Sequence, residues 1–151
     1  MERFFLAALC RAPHVGSRIA ASLLRGLGTA QDVWRADVTA LKAAGLSLER
    51  AAALHDFCRK NETLPEKIAE TCEKAGIRLF IPTDGAYPAL LREIYDPPQT
   101  LFCRGSLDCL KQPAVAMVGA RHASAYGKSA AEDIALGLAE RGFVVVSGAA
   151  R

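Results

Sequence analysis

The sequence predicts an α/β fold in which a helical N-terminal part precedes a parallel β-sheet. Two apolar, β-branched runs, residues 114–118 and 143–146, are separated by an amphipathic segment, a pattern typical of a β–α–β unit with parallel strands. Residues 1 to about 60 instead place apolar side chains at helical spacing. A composition of 51% hydrophobic and 23% charged residues predicts a globular protein.

The helical part is predicted to be a small bundle of short helices. Breaks are expected at Gly16, at residues 26–28 and at Gly45, and Thr29 and Ser47 are predicted N-caps. Helices of two to four turns are marginal alone and must pack together. This part has nine basic residues against five acids, which fits either contact with a nucleic-acid backbone or a solvated surface. The basic residues are Arg3, Arg11, Arg18, Arg25, Arg35, Lys42, Arg50, Arg59 and Lys60.

The middle of the chain is predicted to start with a connector helix. Thr63 and Glu66 have the spacing of a capping box, and Gly76 is expected to end the helix that they begin. A strand over 77–81, a short helix over 87–94 and a strand over 100–103 follow.

The two loops that follow the apolar runs carry the chemistry of phosphate binding. Because parallel neighbouring strands end at one edge of a sheet, both loops are predicted to open there. In the first loop, Ser124 is the expected N-cap of a helix whose amides bind anions, and the fork of Arg121 suits a phosphate. The second loop repeats these residue types. The candidate phosphate-binding residues are Gly119, Ala120, Arg121, Ser124, Gly127, Ser147, Gly148 and Arg151.

The remaining motifs favour binding over catalysis. No nucleophile with a partner base, no dinucleotide fingerprint and no P-loop is present. His122 is a base, a base-stacking group or simply a solvent-exposed side chain. Five cysteines without a C-x-x-C pair predict reduced thiols in the cytoplasm, and no metal or cofactor is expected. No window approaches the ~20 apolar residues of a membrane span. The chain stops where a second helix is expected, so it is predicted to be the front part of a longer protein.

Three blocks of the sequence resemble the DNA-processing protein A family (DprA/Smf), over about residues 80 to 151. The first block is Tyr87-Pro88-x-x-Leu91 with Asp96-Pro97-Pro98-x-x-Leu101-Phe102-x-Arg104-Gly105. The second is Val115-Ala116-Met117-Val118-Gly119-Ala120-Arg121-x-x-Ser124-x-Tyr126-Gly127. The third is Val145-Val146-Ser147-Gly148-Ala149-Ala150-Arg151.

The resemblance implies a fold in three parts. Residues 1–63 would form a sterile-alpha-motif-like domain, in which the segment 41–46 and the helix that starts at Ser47 are similar to a helix-hairpin-helix turn. Residues 64–76 would form the connector helix. Residues 77–151 would be the first part of an extended Rossmann-like domain, incomplete at its C-terminus.

The resemblance also implies a function. Members of this family bind single-stranded DNA with little sequence preference, protect incoming strands and help to load the RecA recombinase in natural transformation, and they are not known as enzymes. By position, Arg121 matches the family's phosphate-contacting arginine, and Arg151 matches the basic residue after its second turn. Ala120 stands where Ser or Thr is usual and Ala149 where Leu is common. A homodimer is expected for the full-length protein.

Two other functions stay open at this point. One is a nucleotide-processing enzyme on a related Rossmann-like fold, similar to the phosphoribohydrolases, although their P-G-G-x-G-T-x-x-E motif is absent from these residues. The other is a protein-interaction module in which the helical domain docks a partner. Release of base from nucleoside monophosphates would identify the first, and failure to bind single-stranded oligonucleotide would favour the second.

Overall fold

The computed structural model describes residues 1–148, which fold as two compact units, one from Met1 to Gly105 and the other beginning at Ser106. We refer to them as unit 1 and unit 2. In chain order the elements of unit 1 are α1 (Glu2–Leu9), α2 (Ser17–Leu27), α3 (Ala30–Arg35), α4 (Val38–Ala43), α5 (Leu48–Lys60), α6 (Leu64–Lys74), β1 (Ile77–Phe80), α7 (Ala89–Arg92) and β2 (Leu101–Arg104). Those of unit 2 are a short 3-10 helix (Asp108–Lys111), β3 (Ala114–Met117), α8 (Ala125–Glu140) and β4 (Val144–Ser147).

The core of unit 1 forms around α1. Five consecutive residues of this helix, 5–9, are buried, so it presents apolar side chains in every direction rather than along one stripe. The helix packs against α3, α6 and β1. Trp34 of α3 completes the core, with its ring edge-on to Phe5 at 6.3 Å and to Phe57 of α5 at 6.2 Å between ring centroids.

Two charged side chains at the start of α1 connect it to its neighbours. The carboxylate of Glu2 accepts hydrogen bonds from the backbone N–H groups of Ala30 and Gln31, which are free donors in the first turn of α3. The guanidinium of Arg3 donates to the carbonyl of Leu79 at 2.8 Å and pairs with Asp84 at 3.2 Å. The N-terminus of the chain is therefore held to both α3 and the end of β1.

The predicted N-caps of α3 and α5 are confirmed. The Thr29 hydroxyl accepts a hydrogen bond from the Asp32 N–H at 3.1 Å, and the Asp32 carboxylate accepts one from the Thr29 N–H, so the two form a full capping box. Ser47 accepts from the Arg50 N–H at 3.3 Å. Asp37 caps α4 in the same way, by accepting from the Ala40 N–H at 2.8 Å.

The capping box predicted at Thr63 is wrong, although the helix that it was expected to open is present as α6. A capping residue needs an extended backbone, and Thr63 has φ −91° and ψ 7° because the chain turns tightly out of α5. In that turn the N–H of Leu64 donates to the carbonyl of Asn61 at 2.9 Å. The helix ends at Lys74, and Gly76, at φ +61°, ends the turn that follows as expected.

The strands confirm a mixed α/β architecture that includes a parallel pair. In unit 1, β1 and β2 run antiparallel, with Ile77 opposite Arg104 and Phe80 opposite Leu101. In unit 2, β3 and β4 run parallel and are connected through α8, as the two apolar runs predict. The sterile-alpha-motif-like and Rossmann-like assignments, and the division into residues 1–63, 64–76 and 77–151, stay predictions. Among residues 1–148, no helix has both the length and the apolar character to cross a bilayer.

The central position of α1 gives a first prediction. Leu9 is fully buried at the end of α1, so Leu9→Ala should lower the free energy of unfolding of unit 1 by about 2–5 kcal/mol through lost apolar contact and the cavity left behind. The measurement is urea denaturation followed by the fluorescence of Trp34, the single tryptophan of the chain. The matched control is Leu48→Ala, since Leu48 is 61% exposed. Equal losses in the two variants would contradict the prediction.

The capping box of α3 gives a second prediction. Hydrogen bonds from Thr29 hold the pKa of Asp32 below its usual value, so this group adds stability above its unfolded pKa, and the stability is lost as the pH falls through the folded pKa. Thr29→Val should destabilise unit 1 at neutral pH by about 1 kcal/mol, the usual cost of losing an N-cap. The free energy of unfolding of this variant should also decrease less than that of the wild type as the pH is lowered from neutral to acid.

Denaturation curves at several pH values test this second prediction. Thr39→Val, at an exposed position within α4, is the control for the loss of a hydroxyl. A Thr29→Val protein whose stability falls with pH as steeply as that of the control would disprove the role given to the box.

Candidate functional site

The register of β3 and β4 places the two candidate loops at one edge of the sheet. Ala114 pairs with Val144 at one end of the ladder and Met117 pairs with Ser147 at the other. The chain after Met117 and the chain after Ser147 therefore leave neighbouring strands at the same level. This is the edge outside the carboxyl ends of parallel strands, where open α/β sheets bind ligands.

The first loop, residues 118–124, is exposed along its whole length and leads into α8. Arg121 and His122 project from it, and both are exposed. Ser124, at φ −65° and ψ 163°, caps α8, and its hydroxyl oxygen accepts a hydrogen bond from the Gly127 N–H at 3.1 Å. The cap predicted from the sequence is confirmed. The positive end of a helix of 16 residues therefore lies next to an arginine at the edge of the sheet.

Glycine at the two strand ends is not required by packing. A Cβ built on Gly119 or on Gly148 would meet no described heavy atom within 4 Å, and neither residue has a positive φ. Gly127 differs, because its Cβ would lie 3.4 Å from the hydroxyl oxygen of Ser124 and 3.9 Å from Ala123. The backbone at both strand ends is thus open to a group approaching from solvent.

The structure brings together all the predicted site residues that it describes. Gly119, Ala120, Arg121, Ser124 and Gly127 lie in the first loop and the first turn of α8, and Ser147 and Gly148 lie at the end of β4. The predicted role of Arg151 falls outside the described residues, as does Ala149, which stands where Leu is common in the family that the sequence resembles. Ala120 is exposed and offers only a methyl group where a hydroxyl is usual in the family that the sequence resembles.

Tyr126 belongs to the same edge, although the set of candidate site residues omitted it. It is the second residue of α8, and its ring is 83% exposed. An aromatic ring beside a phosphate-binding loop provides a surface for stacking a base. The sequence could have indicated Tyr126. A residue in the first turn of a helix lies close to the loop before it, and here that loop contains a glycine and an arginine.

The cysteines and the metal-ligating side chains of the described residues form neither a disulfide nor a candidate metal site. All five cysteines are free thiols, and residues 1–148 contain no cluster of three metal-ligating side chains. Burial raises the pKa of the Cys58 thiol to about 12, so this group is protonated at neutral pH and is a poor nucleophile.

These features define an α/β protein with a parallel strand–helix–strand unit that presents backbone amides, a helix N-terminus and an arginine at one sheet edge. Residues 78–151 match the family described as DNA recombination-mediator protein A. The chain is 48% identical over 68 residues to the DNA processing protein DprA of Streptococcus pneumoniae, a match that covers 45% of this chain and 24% of that protein. It is 35% identical over 111 residues to DprA of Bacillus subtilis, covering 73% of this chain and 35% of that protein. Protein Smf of Synechocystis is 32% identical over 96 residues, covering 61% and 24%.

Residues 78–151 of this chain therefore belong to the DNA recombination-mediator protein A family, also named DprA or Smf. The matched region begins within β1 and includes the last part of unit 1 as well as unit 2. The matches span between about a quarter and a third of the length of these curated relatives.

The cap at Ser124 gives a third prediction. In Ser124→Ala the Gly127 amide loses its acceptor, so its hydrogen exchange should become faster by about three- to tenfold, the equivalent of roughly 1 kcal/mol for a helix N-cap. Amide exchange followed by NMR measures this. Ser129→Ala, at an exposed position further along α8, is the control. Unchanged exchange at Gly127 would show that the hydroxyl does not protect the first turn.

Proposed function

We propose that this chain contains the phosphate-binding edge of a protein that binds single-stranded DNA, and that this edge consists of the loops after β3 and β4. The single observation that carries the proposal is the parallel register in which Met117 pairs with Ser147, since it puts both loops at one edge. Membership of residues 78–151 in a family described as recombination mediators supports DNA as the ligand.

The chemistry of the edge suits a ligand held by its backbone. Phosphate oxygens accept hydrogen bonds from amides at a helix N-terminus and from the planar fork of an arginine. The edge offers both, through the first turn of α8 and through Arg121. Exposed rings such as that of Tyr126 stack on any unpaired base. Contacts of these kinds hold a strand without reading its sequence.

The names of the relatives support a proposal for the wider role. Curated proteins that match this chain are named DNA processing proteins, and the family description names recombination. We propose that the protein protects single strands and assists the loading of a RecA-type recombinase during DNA recombination and natural transformation. We also propose that the full-length protein acts in the cytoplasm as a homodimer. Dimerisation would increase binding to one strand, because two weak sites on one assembly raise the effective concentration of the second.

A fourth prediction tests the edge directly. Arg121→Ala should weaken binding of a labelled single-stranded oligonucleotide by about 1–3 kcal/mol, the scale of one or two charge-assisted hydrogen bonds. Fluorescence anisotropy at a fixed, low salt concentration measures this. The matched control is Arg141→Ala, which removes the same charge from the opposite end of α8, where the Arg141 side chain only donates to the carbonyl of Gly137 at 2.7 Å.

The outcomes separate the proposed functions. A loss in Arg121→Ala that exceeds the loss in Arg141→Ala, with unchanged circular dichroism, supports the DNA-binding edge. Equal affinities in the two variants reject it. Release of free base from nucleoside monophosphates by the wild-type protein would point to the nucleotide-processing alternative instead, while wild-type protein that binds no oligonucleotide would leave protein interaction as the better explanation.

A further inference from the structure

We propose that unit 1 contains a second site for a single nucleic-acid strand, in a groove bounded by α2, by the turn between α4 and α5, and by the segment 95–99. The groove has a volume of about 890 Å³ and is open to solvent. All of the residues that line it belong to unit 1. This site does not include the loops after β3 and β4, so it does not depend on the function proposed for them.

Two helices approach each other closely beside the groove. The helix α2 continues through Gly26 to Leu27, instead of breaking at 26 as the sequence predicts. A Cβ on Gly26 would lie 3.1 Å from the Cβ of Ala44, so a larger residue there would push α2 away from the end of α4. Gly45, at φ +102°, then turns the chain into α5. The distance between α2 and the end of α4 is therefore set by close packing of small residues rather than by long side chains.

The lining of the groove is basic. Arg18 and Arg25 lie on α2 and Arg50 lies in the first turn of α5, and all three are exposed. Seven residues along a helix correspond to two turns, so Arg18 and Arg25 share one face of α2 about 10.5 Å apart along its axis. Asp96 is the acidic residue of this lining, and none of the three arginines forms an ion pair with another residue among 1–148. The three guanidinium groups are thus exposed to solvent and have no ion-pair partner within residues 1–148.

An aromatic ring lies at the edge of the same groove. Tyr95 is 88% exposed, and the guanidinium of Arg18 lies 5.6 Å from its ring centroid. A cation at this distance holds the ring by attraction to its π-face. At the nearby start of α2, Gly16 is the N-cap, and no side chain caps the first-turn amides. The groove therefore combines arginine side chains, the amides at the start of α2 and the exposed ring of Tyr95.

This combination favours a single strand over other anions. Arginine forks and helix amides pair with phosphodiester oxygens, and spacing along α2 suits a ligand that presents several phosphates in a row. An exposed ring stacks on a base, but only when the base is not enclosed in a duplex. An acidic peptide would satisfy the charges, but its carboxylates offer no flat face to Tyr95.

The test compares two double variants of the chain. Arg25→Ala/Arg50→Ala removes two charges from the groove. The matched control, Arg35→Ala/Arg59→Ala, removes two charges from another surface of unit 1, which also carries Glu62 and Glu66. All four arginines are exposed, so the fold should be retained, and thermal melts of each variant check this. Each protein is titrated by anisotropy with a labelled oligothymidylate, in the wild-type and in the Arg121→Ala background.

The groove variant should bind the oligonucleotide about tenfold more weakly than the control in both backgrounds, with a smaller dependence of affinity on salt, because fewer counterions are released. Tyr95→Leu should also weaken binding, while Tyr95→Phe, which keeps the ring, should not. Equal affinities of the groove variant and the control would overturn the proposal. A poly-glutamate competitor that displaces the oligonucleotide as well as an unlabelled strand does would overturn the choice of nucleic acid.

Discussion

Unit 1 is organised by the burial of one short helix on all sides. α1 has only eight residues, too few to be stable in water, and its helical form depends on the apolar surfaces of α3, α6 and β1 around it. Two charged side chains at the start of α1 have partners in the surrounding elements. Glu2 accepts from the first amides of α3, and Arg3 binds the carbonyl of Leu79 and the carboxylate of Asp84. These contacts connect α1 to α3 and to the strand β1 of the antiparallel pair.

Unit 2 depends on a different constraint, the pairing of two four-residue strands. Parallel strands need a crossover between them, and α8 provides it in 16 residues. Apolar side chains remain partly exposed on this unit, including Phe143 at 38% and Val146 at 43%. The pairing of Met117 with Ser147 in this ladder brings the starts of the two candidate loops side by side.

The sequence was most informative where a local signal and the tertiary structure agree. Residue type alone predicts Thr29, Ser47 and Ser124 as N-caps. The prediction is correct because each of these residues has an extended backbone and comes directly before a helix. Thr63 has the residue type of Thr29 and, like it, an acidic residue three positions later, but the tight turn after α5 fixes its ψ near zero, which a capping residue cannot adopt. A cap is thus predictable only when the preceding chain is free to extend.

Local sequence patterns did not predict the contacts between residues that lie far apart in the chain. Nothing near Gly26 in the sequence indicates that Ala44 approaches it, since glycine in a helix reads as a break unless its packing partner is known. The groove itself was equally hidden, because its arginines are separated by up to 32 positions and only the fold places them together. The parallel pair was predictable, because β-branched runs on either side of an amphipathic segment have few other stable arrangements.

The net charge of +3 conceals how the charges of this chain are used. Several lysines are paired within their own helices or turns, as with Lys60 and Asp56 at 2.7 Å and Lys111 and Asp108 at 2.8 Å. Such exposed pairs contribute little to stability, but they cancel the local field. The arginines at the candidate sites are in the opposite situation, because Arg121 and the groove arginines form no ion pair within residues 1–148. A weakly basic protein thereby leaves the guanidinium groups of its candidate sites without an ion-pair partner within residues 1–148.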